Sequence, residues 1–172
     1  CRVDTYSQNL TVMLTADIDA EEAEISIPVF YGTFNGQGHR IYGLNLTRSA
    51  TGYGLFSRIE AGAVVKDLAV EGDVTPSGTQ SQIGGIAGVN AGRIETCSFS
   101  GIVMGGDYVG GIAGKNESSG VIADCRAAGA VRGSQFTGGI SGQNAGTLLN
   151  CSNTAAVNTA VSDENMAADI SG

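Results

Sequence analysis

Few side chains in this sequence could do chemistry. There is one histidine, His39, and four cysteines, Cys1, Cys97, Cys125 and Cys151. A site needing two imidazoles is excluded, and no Cys-x-x-Cys pair offers zinc spacing. The carboxylates are more numerous, with 17 acids against 9 bases. Polysaccharide lyases and hydrolases place clustered Asp or Glu on one face, as an acid–base pair or as calcium ligands. Two sets of acids invite that reading. Asp67 and Asp124 fall at equivalent places in a repeated pattern, with Thr96 and Asn150 completing the column. Asp17, Asp19, Glu21, Glu22 and Glu24 form an acidic loop, though without the glycine spacing of a calcium loop. The glycine-rich phrases could in principle cradle a phosphate, but such a cradle is a single strand–turn–helix element ending in Lys-Ser/Thr. Here the phrase recurs three times with no helix after it, which assigns these glycines to corners and packing.

The repeat is what must position all of these groups. Gly84-Gly85-Ile86-Ala87-Gly88, Gly110-Gly111-Ile112-Ala113-Gly114 and Gly138-Gly139-Ile140-Ser141-Gly142 align directly. Each is followed two residues later by an asparagine: Asn90, Asn116 and Asn144. A second phrase follows: Ile94-x-x-Cys97-x-Phe99, Ile122-x-x-Cys125-x-Ala127 and Leu148-x-x-Cys151-x-Asn153. Each copy closes on a valine: Val103, Val131 or Val157. Earlier copies are diverged. Val65-x-x-Leu68-x-Val70 and Ile41-x-x-Leu44-x-Leu46 keep the spacing, and Gly54-Leu55-Phe56 stands where Gly-Gly-Ile stands later. Leu10 to Leu14 is expected to open the first rung, and Thr15 to Ile25 to be a loop.

Each repeat holds short apolar runs broken by Gly, Asn or Asp, so it reads as two or three short strands rather than a helix. One such unit cannot bury its apolar face alone, whereas a stack can. The expected fold is therefore all-β, a right-handed parallel β-helix of about six rungs. In that stack Ile41, Val65, Ile94, Ile122 and Leu148 form one inward column. Leu44, Leu68, Cys97, Cys125 and Cys151 form the next. The cysteines are then read as buried, small apolar thiols. Asp67 and Asp124 lie on an outward column two rungs apart, about 9.6 Å, with no third acid beside them. His39 is expected in a corner hydrogen bond. Tyr31, Tyr42, Tyr53 and Tyr108 are candidates for an exposed sugar-binding face, but they share no repeat column.

Composition narrows the classes further. The formal charge is −8 and the bases are scattered singly, which disfavours nucleic acid. No stretch approaches the roughly 18 apolar residues of a membrane span. The whole chain, 1–172, is expected to be one repeat domain, with diverged lead-in rungs at 1–83 and regular repeats at 84–167. Thr159 to Ala168 departs from the pattern as a loop insertion. The ending at 168–172 resembles the start of a further, truncated repeat, and with Cys1 in place of an initiator Met the chain is expected to be an excerpt of a longer array.

The phrase Gly-Gly-Ile-Ala-Gly-x-Asn-x-Gly-x-Ile-x-x-Cys at 84–97 resembles the GLUG-motif repeat. The segments Leu14-Thr15-Ala16-Asp17-Ile18-Asp19 and Gly32-Thr33-Phe34-Asn35-Gly36-Gln37-Gly38-His39-Arg40-Ile41 are similar to the lead-in that precedes such repeats. The resemblance implies a large secreted or surface-attached bacterial protein, adhesin-like or flanking the catalytic part of a metalloprotease that cuts immunoglobulin A. It implies no catalytic, cofactor or metal-binding residue, and the protease motif His-Glu-x-x-His is absent. The expected function is a non-catalytic structural or adhesive module at the cell surface, with a glycan or a host or cell-wall ligand and the flanking domains of the parent chain as partners. A carbohydrate-active, lyase- or hydrolase-like β-helix is the alternative from another class, and an accessory segment of a secreted metalloprotease is the third reading.

Overall fold

The computed structural model describes residues 8–21 and 23–158. Cys1, Glu22, the expected insertion at 159–168 and the truncated phrase at 169–172 lie outside them. The described chain is all-β, with no helix, so it contains no helix able to cross a membrane. Its strands pair in parallel throughout and coil into a solenoid of about five turns, against the six expected.

Three sheets run along the solenoid. The long face has 11 strands, the second has 5 and the third has 3. Strands Val64–Val74 and Arg93–Met104 show how the long face is built, because each crosses its whole width. The spacing Ile94-x-x-Cys97 explains its shape. In a straight strand, residues three apart point to opposite faces, yet both of these are buried. The chain must therefore bend between them. It does so at Asp67, Thr96, Asp124 and Asn150, all left-handed with φ of 53°, 52°, 53° and 53°. Asn and Asp tolerate this region; a β-branched Thr seldom does.

The core columns follow the repeat. Val65, Ile94, Ile122 and Leu148 stack in register, as do Val74, Val103, Val131 and Val157. The first turns differ from expectation. Phe34, not Ile41, pairs with Val65. Ile41 pairs with Val70, Leu44 with Gly72 and Leu46 with Val74. The Gly36–Gly38 turn consumes the residues that would have kept Ile41 in step, so this segment lies one bend further along the rung. In these early turns the rings of Phe30, Phe34 and Phe56 cluster at 5.4 to 6.3 Å and fill the interior.

From Gly84 onward glycine makes room for close approach between neighbouring segments. None of the six glycines of the Gly-Gly-Ile/Ile/Ile pairs has positive φ, so close approach rather than turn geometry explains them. A Cβ on Gly85 would overlap the ring of Phe99 and lie 2.5 Å from the Gly111 carbonyl oxygen. The repeated asparagines are also interior. Asn90 Nδ2 donates to Asn116 Oδ1 at 2.8 Å, and Asn116 Nδ2 to Asn144 Oδ1 at 2.8 Å. Asn90 and Asn116 are both fully buried. The ladder stops where Ile59 takes the asparagine position, which leaves Asn90 Oδ1 without a partner among the described residues. Pro28, lacking an N–H, sits on the edge strand Ile27–Phe30 of the second face.

Candidate functional site

The left-handed corner is the first place to look for chemistry. Asp67, Thr96 and Asp124 line a shallow groove of about 250 Å³ with Gly38, Ala69, Ser98 and Arg126. The register places Asp67 and Asp124 two rows apart, as the repeat implied. Two acids and a base thus share one groove. Asp124 Oδ1 already accepts a hydrogen bond from Asn150 Nδ2 at 3.2 Å, and both residues are exposed. The backbone explains the column without invoking catalysis: the corner requires left-handed residues, and Asp and Asn suit it. Sequence reading recognised the column but missed the bend.

The acidic loop does not converge on one point. Asp17 accepts from Arg40 Nε at 3.0 Å and faces His39 Nδ1 at 3.2 Å, so His39 does sit in a corner hydrogen bond. The backbone N–H and guanidinium of Arg40 hold the Asp17 carboxyl below its usual range. Asp19 Oδ1 caps the Glu21 N–H. Glu24 Oε1 accepts from the N–H groups of Thr47 and Arg48 and from the Tyr53 hydroxyl, at 3.1, 2.9 and 2.9 Å. Burial acts to raise its pKa, but these donors outweigh it and the net shift is downward. Among the described residues no three His, Cys, Asp or Glu side chains are placed to hold a metal ion.

Cys97, Cys125 and Cys151 are free and stack in one column. Cys97 and Cys125 are buried, and Cys151 is half-buried. Cys125 Sγ hydrogen-bonds to the Ala123 carbonyl at 3.2 Å, and Cys97 Sγ to that of Glu95 at 3.2 Å. Contact with Cys151 works to lower the pKa of Cys125, but Cys97 and burial push it up to about 12. Cys151 is raised as well, first by Cys125 and then by burial. A nucleophile or metal ligand needs the thiolate, so Cys125 and Cys151 pack as neutral thiols.

One feature of the surface was not legible as a column. Gln82, Tyr108 and Phe136 occupy equivalent corner positions immediately before Ile83, Val109 and Thr137. All three are left-handed, with φ of 62°, 59° and 53°. The rings of Tyr108 and Phe136 stack at 4.9 Å, within 9° of parallel, and Phe136 is 55% exposed. Comparing tyrosines only with one another hid this pair. The signal was present: each of these residues stands two before a Gly-Gly-Ile phrase. Tyr53, a candidate for exposure, is instead buried at 4%.

On the second face, Arg58 reaches across two rows. Its Nη1 and Nη2 donate to Glu117 at 3.1 and 2.8 Å, and its Nε donates to Glu60 at 2.8 Å. The guanidinium lowers the pKa of Glu117.

These features define a parallel β-solenoid repeat protein whose repeated residues are accounted for by packing and by backbone geometry. Residues 79–104 and 105–132 each match the family described as the GLUG motif, and these two consecutive stretches carry the repeat phrases first seen at Gly84 and Gly110. The chain is also similar to halomucin of Haloquadratum walsbyi, with 34% identity over 97 residues. That stretch is 56% of this chain and 1% of halomucin, so the chain spans only a small part of that relative. No solved structure matches the chain.

Proposed function

We propose that this chain is a non-catalytic structural module of a large extracellular surface protein, adhesin-like in character, stacking turns into a rigid spacer. The observation that carries this reading is the economy of the repeat. Isoleucine, cysteine, valine, asparagine and glycine recur because each fills or closes the stack, and the recurring Asp67 and Asp124 are accounted for by the left-handed corner they occupy. The GLUG repeats and the similarity to a protein named halomucin support a surface setting. A bacterial origin is part of this reading and rests only on the resemblance of the repeat phrases. The test is turnover. Purified chain incubated with a panel of polysaccharides and oligosaccharides releases no reducing ends or unsaturated products. Reproducible cleavage lost in Asp124→Ala would overturn the reading in favour of a carbohydrate-active β-helix.

A second reading adds a ligand to the same module. The Tyr108–Phe136 pair is flanked by Gln82, Asp107 and Gln135, whose side chains make no hydrogen bond or ion pair among the described residues. Aromatic surface beside free hydroxyl-binding groups suits a neutral sugar. Binding on a glycan array that Phe136→Ala abolishes supports this reading; a blank array removes it.

A further inference from the structure

We propose that Asn45 is an attachment site for an N-linked glycan. An Asn-x-Ser/Thr triplet with x other than Pro is the acceptor signal for that modification in secreted proteins. The sequence has four: Asn9-Leu10-Thr11, Asn45-Leu46-Thr47, Asn116-Glu117-Ser118 and Asn150-Cys151-Ser152. The fold separates them. Asn116 is fully buried, and its amide is committed to Asn90, Asn144 and the Gly120 carbonyl. A glycan there would have to displace the interior ladder. Asn9 and Asn150 are exposed but stand at φ of 64° and 53°, so left-handed backbone already accounts for asparagine at both.

Neither packing nor backbone asks for asparagine at 45. It lies in strand Arg40–Leu46, outside the left-handed set. Its column continues through Asp73, Ile102, Ala130 and Ala156, so no residue type recurs with it. Its side chain is exposed and makes no hydrogen bond or ion pair among the described residues. The strand supplies orientation. Alternate residues of a strand share a face, and the two essential groups of the triplet stand two residues apart. Leu46 is fully buried, while Asn45 and Thr47 on either side of it are exposed. The Thr47 backbone is fixed: its N–H donates to Glu24 Oε1 at 3.1 Å, and its carbonyl accepts from the Ser77 N–H at 3.0 Å. The Thr47 hydroxyl has no partner among the described residues.

The reaction needs a transferase that reads the triplet and an oligosaccharide carried on a lipid pyrophosphate. Asn45 Nδ2 bonds to the anomeric carbon of the sugar, and the bond from that carbon to the pyrophosphate oxygen breaks. Nδ2 gives up one proton, the lipid pyrophosphate leaves, and nothing is oxidised or reduced. That donor is used outside the cytoplasm, so modification of Asn45 depends on the extracellular setting proposed above.

The test is to fractionate the cells that make the protein and map the recovered chain by peptide mass spectrometry. Each sample is compared before and after peptide-N-glycosidase in heavy-oxygen water. The expected chain is extracellular, with a glycan on Asn45 that the enzyme removes, leaving a heavy-oxygen aspartate at that position, and with Asn116 bare. Thr47→Ala should abolish the glycan although Asn45 is still present, and Thr47→Ser should retain it. Both positions are exposed, so neither variant should change the melting temperature of the unglycosylated chain. An extracellular chain with bare Asn45 overturns the glycan and leaves the surface setting standing. A chain confined to the cytoplasm contradicts the setting itself, and the glycan falls with it. A glycan on Asn116, or one on Asn45 that survives Thr47→Ala, also overturns the proposal.

Discussion

Replacing Thr96 by asparagine should stabilise the protein. Thr96 is held at φ 52° in a column whose other members are Asp67, Asp124 and Asn150. Left-handed backbone costs an ordinary L-residue about 1–2 kcal/mol, and Asn less because its short amide bonds locally. Thr96→Asn therefore gains about 1 kcal/mol. A new amide one row from Asp124 can also repeat the bond that Asn150 makes to that carboxylate at 3.2 Å. For a chain of this size, 1 kcal/mol raises Tm by about 2–4 °C. Thr96→Asp provides the control. It relieves the same backbone strain but sets a carboxylate about 4.8 Å from Asp67 and from Asp124. At that spacing each pair repels by about 0.9 kcal/mol in water before salt screening. The two pairs together cost about 1.7 kcal/mol and outweigh the gain, so Thr96→Asp should melt below wild type at low salt and move toward Thr96→Asn as salt rises. Thermal unfolding followed by circular dichroism reads all three proteins. A lower Tm for Thr96→Asn, or equal gains for Asn and Asp at low salt, would refute the strained-corner account.

Other perturbations probe the interior and the ion pairs. Asn116→Ala removes the acceptor for buried Asn90 Nδ2 and the donor to Asn144; urea unfolding should show a loss of about 2–4 kcal/mol. Gly85→Ala should destabilise strongly because its methyl would meet the Phe99 ring, and a double-mutant cycle with Phe99→Leu should recover part of that loss. Tyr53 is raised from 10.0 to about 12, first by burial and then by its bond to Glu24. A group raised on folding stabilises fully below its unfolded value and loses that contribution as pH climbs through its folded one. Stability should thus fall between about pH 10 and 12 through this residue, and Tyr53→Phe should flatten that part of the pH profile. Glu117 is lowered by Arg58, so its contribution is present above the unfolded carboxylate value and is lost as pH falls through the folded one. Glu117→Gln should weaken the acid dependence of unfolding.

Much of the fold was legible because the stack repeats its own solutions. The Gly-Gly-Ile, Asn, Ile-x-x-Cys and Val phrases each mark one column, and a residue that closes one rung well closes the next. The lead-in was harder to read. Ile41-x-x-Leu44-x-Leu46 mimics the spacing of Val65-x-x-Leu68-x-Val70, but the Gly36–Gly38 turn shifts it one bend along. Spacing within a phrase does not report residues spent between phrases. The bend at Asp67 and Thr96 was written in the three-residue interval between inward side chains, yet an aspartate column reads more readily as outward chemistry than as left-handed backbone. At the candidate sites, the corner role of His39 followed from its neighbours in sequence. The stacking of Tyr108 on Phe136 required the rung register, because the two rings lie 28 residues apart.

The in-register stack itself is tested most directly by distances between spin labels on one outward column. Thr11, Thr33, Val64, Arg93, Val121 and Thr147 occupy successive rows. With Cys1 replaced by serine and labels placed on cysteines at Thr11 and Thr147, pulsed electron paramagnetic resonance should give a narrow distribution near 24 Å, five spacings of about 4.8 Å. Labels at Thr11 and Arg93 should lie three spacings apart, about 14 Å. Distances that grow by one spacing per row uphold the solenoid; a broad distribution, or one indifferent to the number of rows between labels, would contradict it.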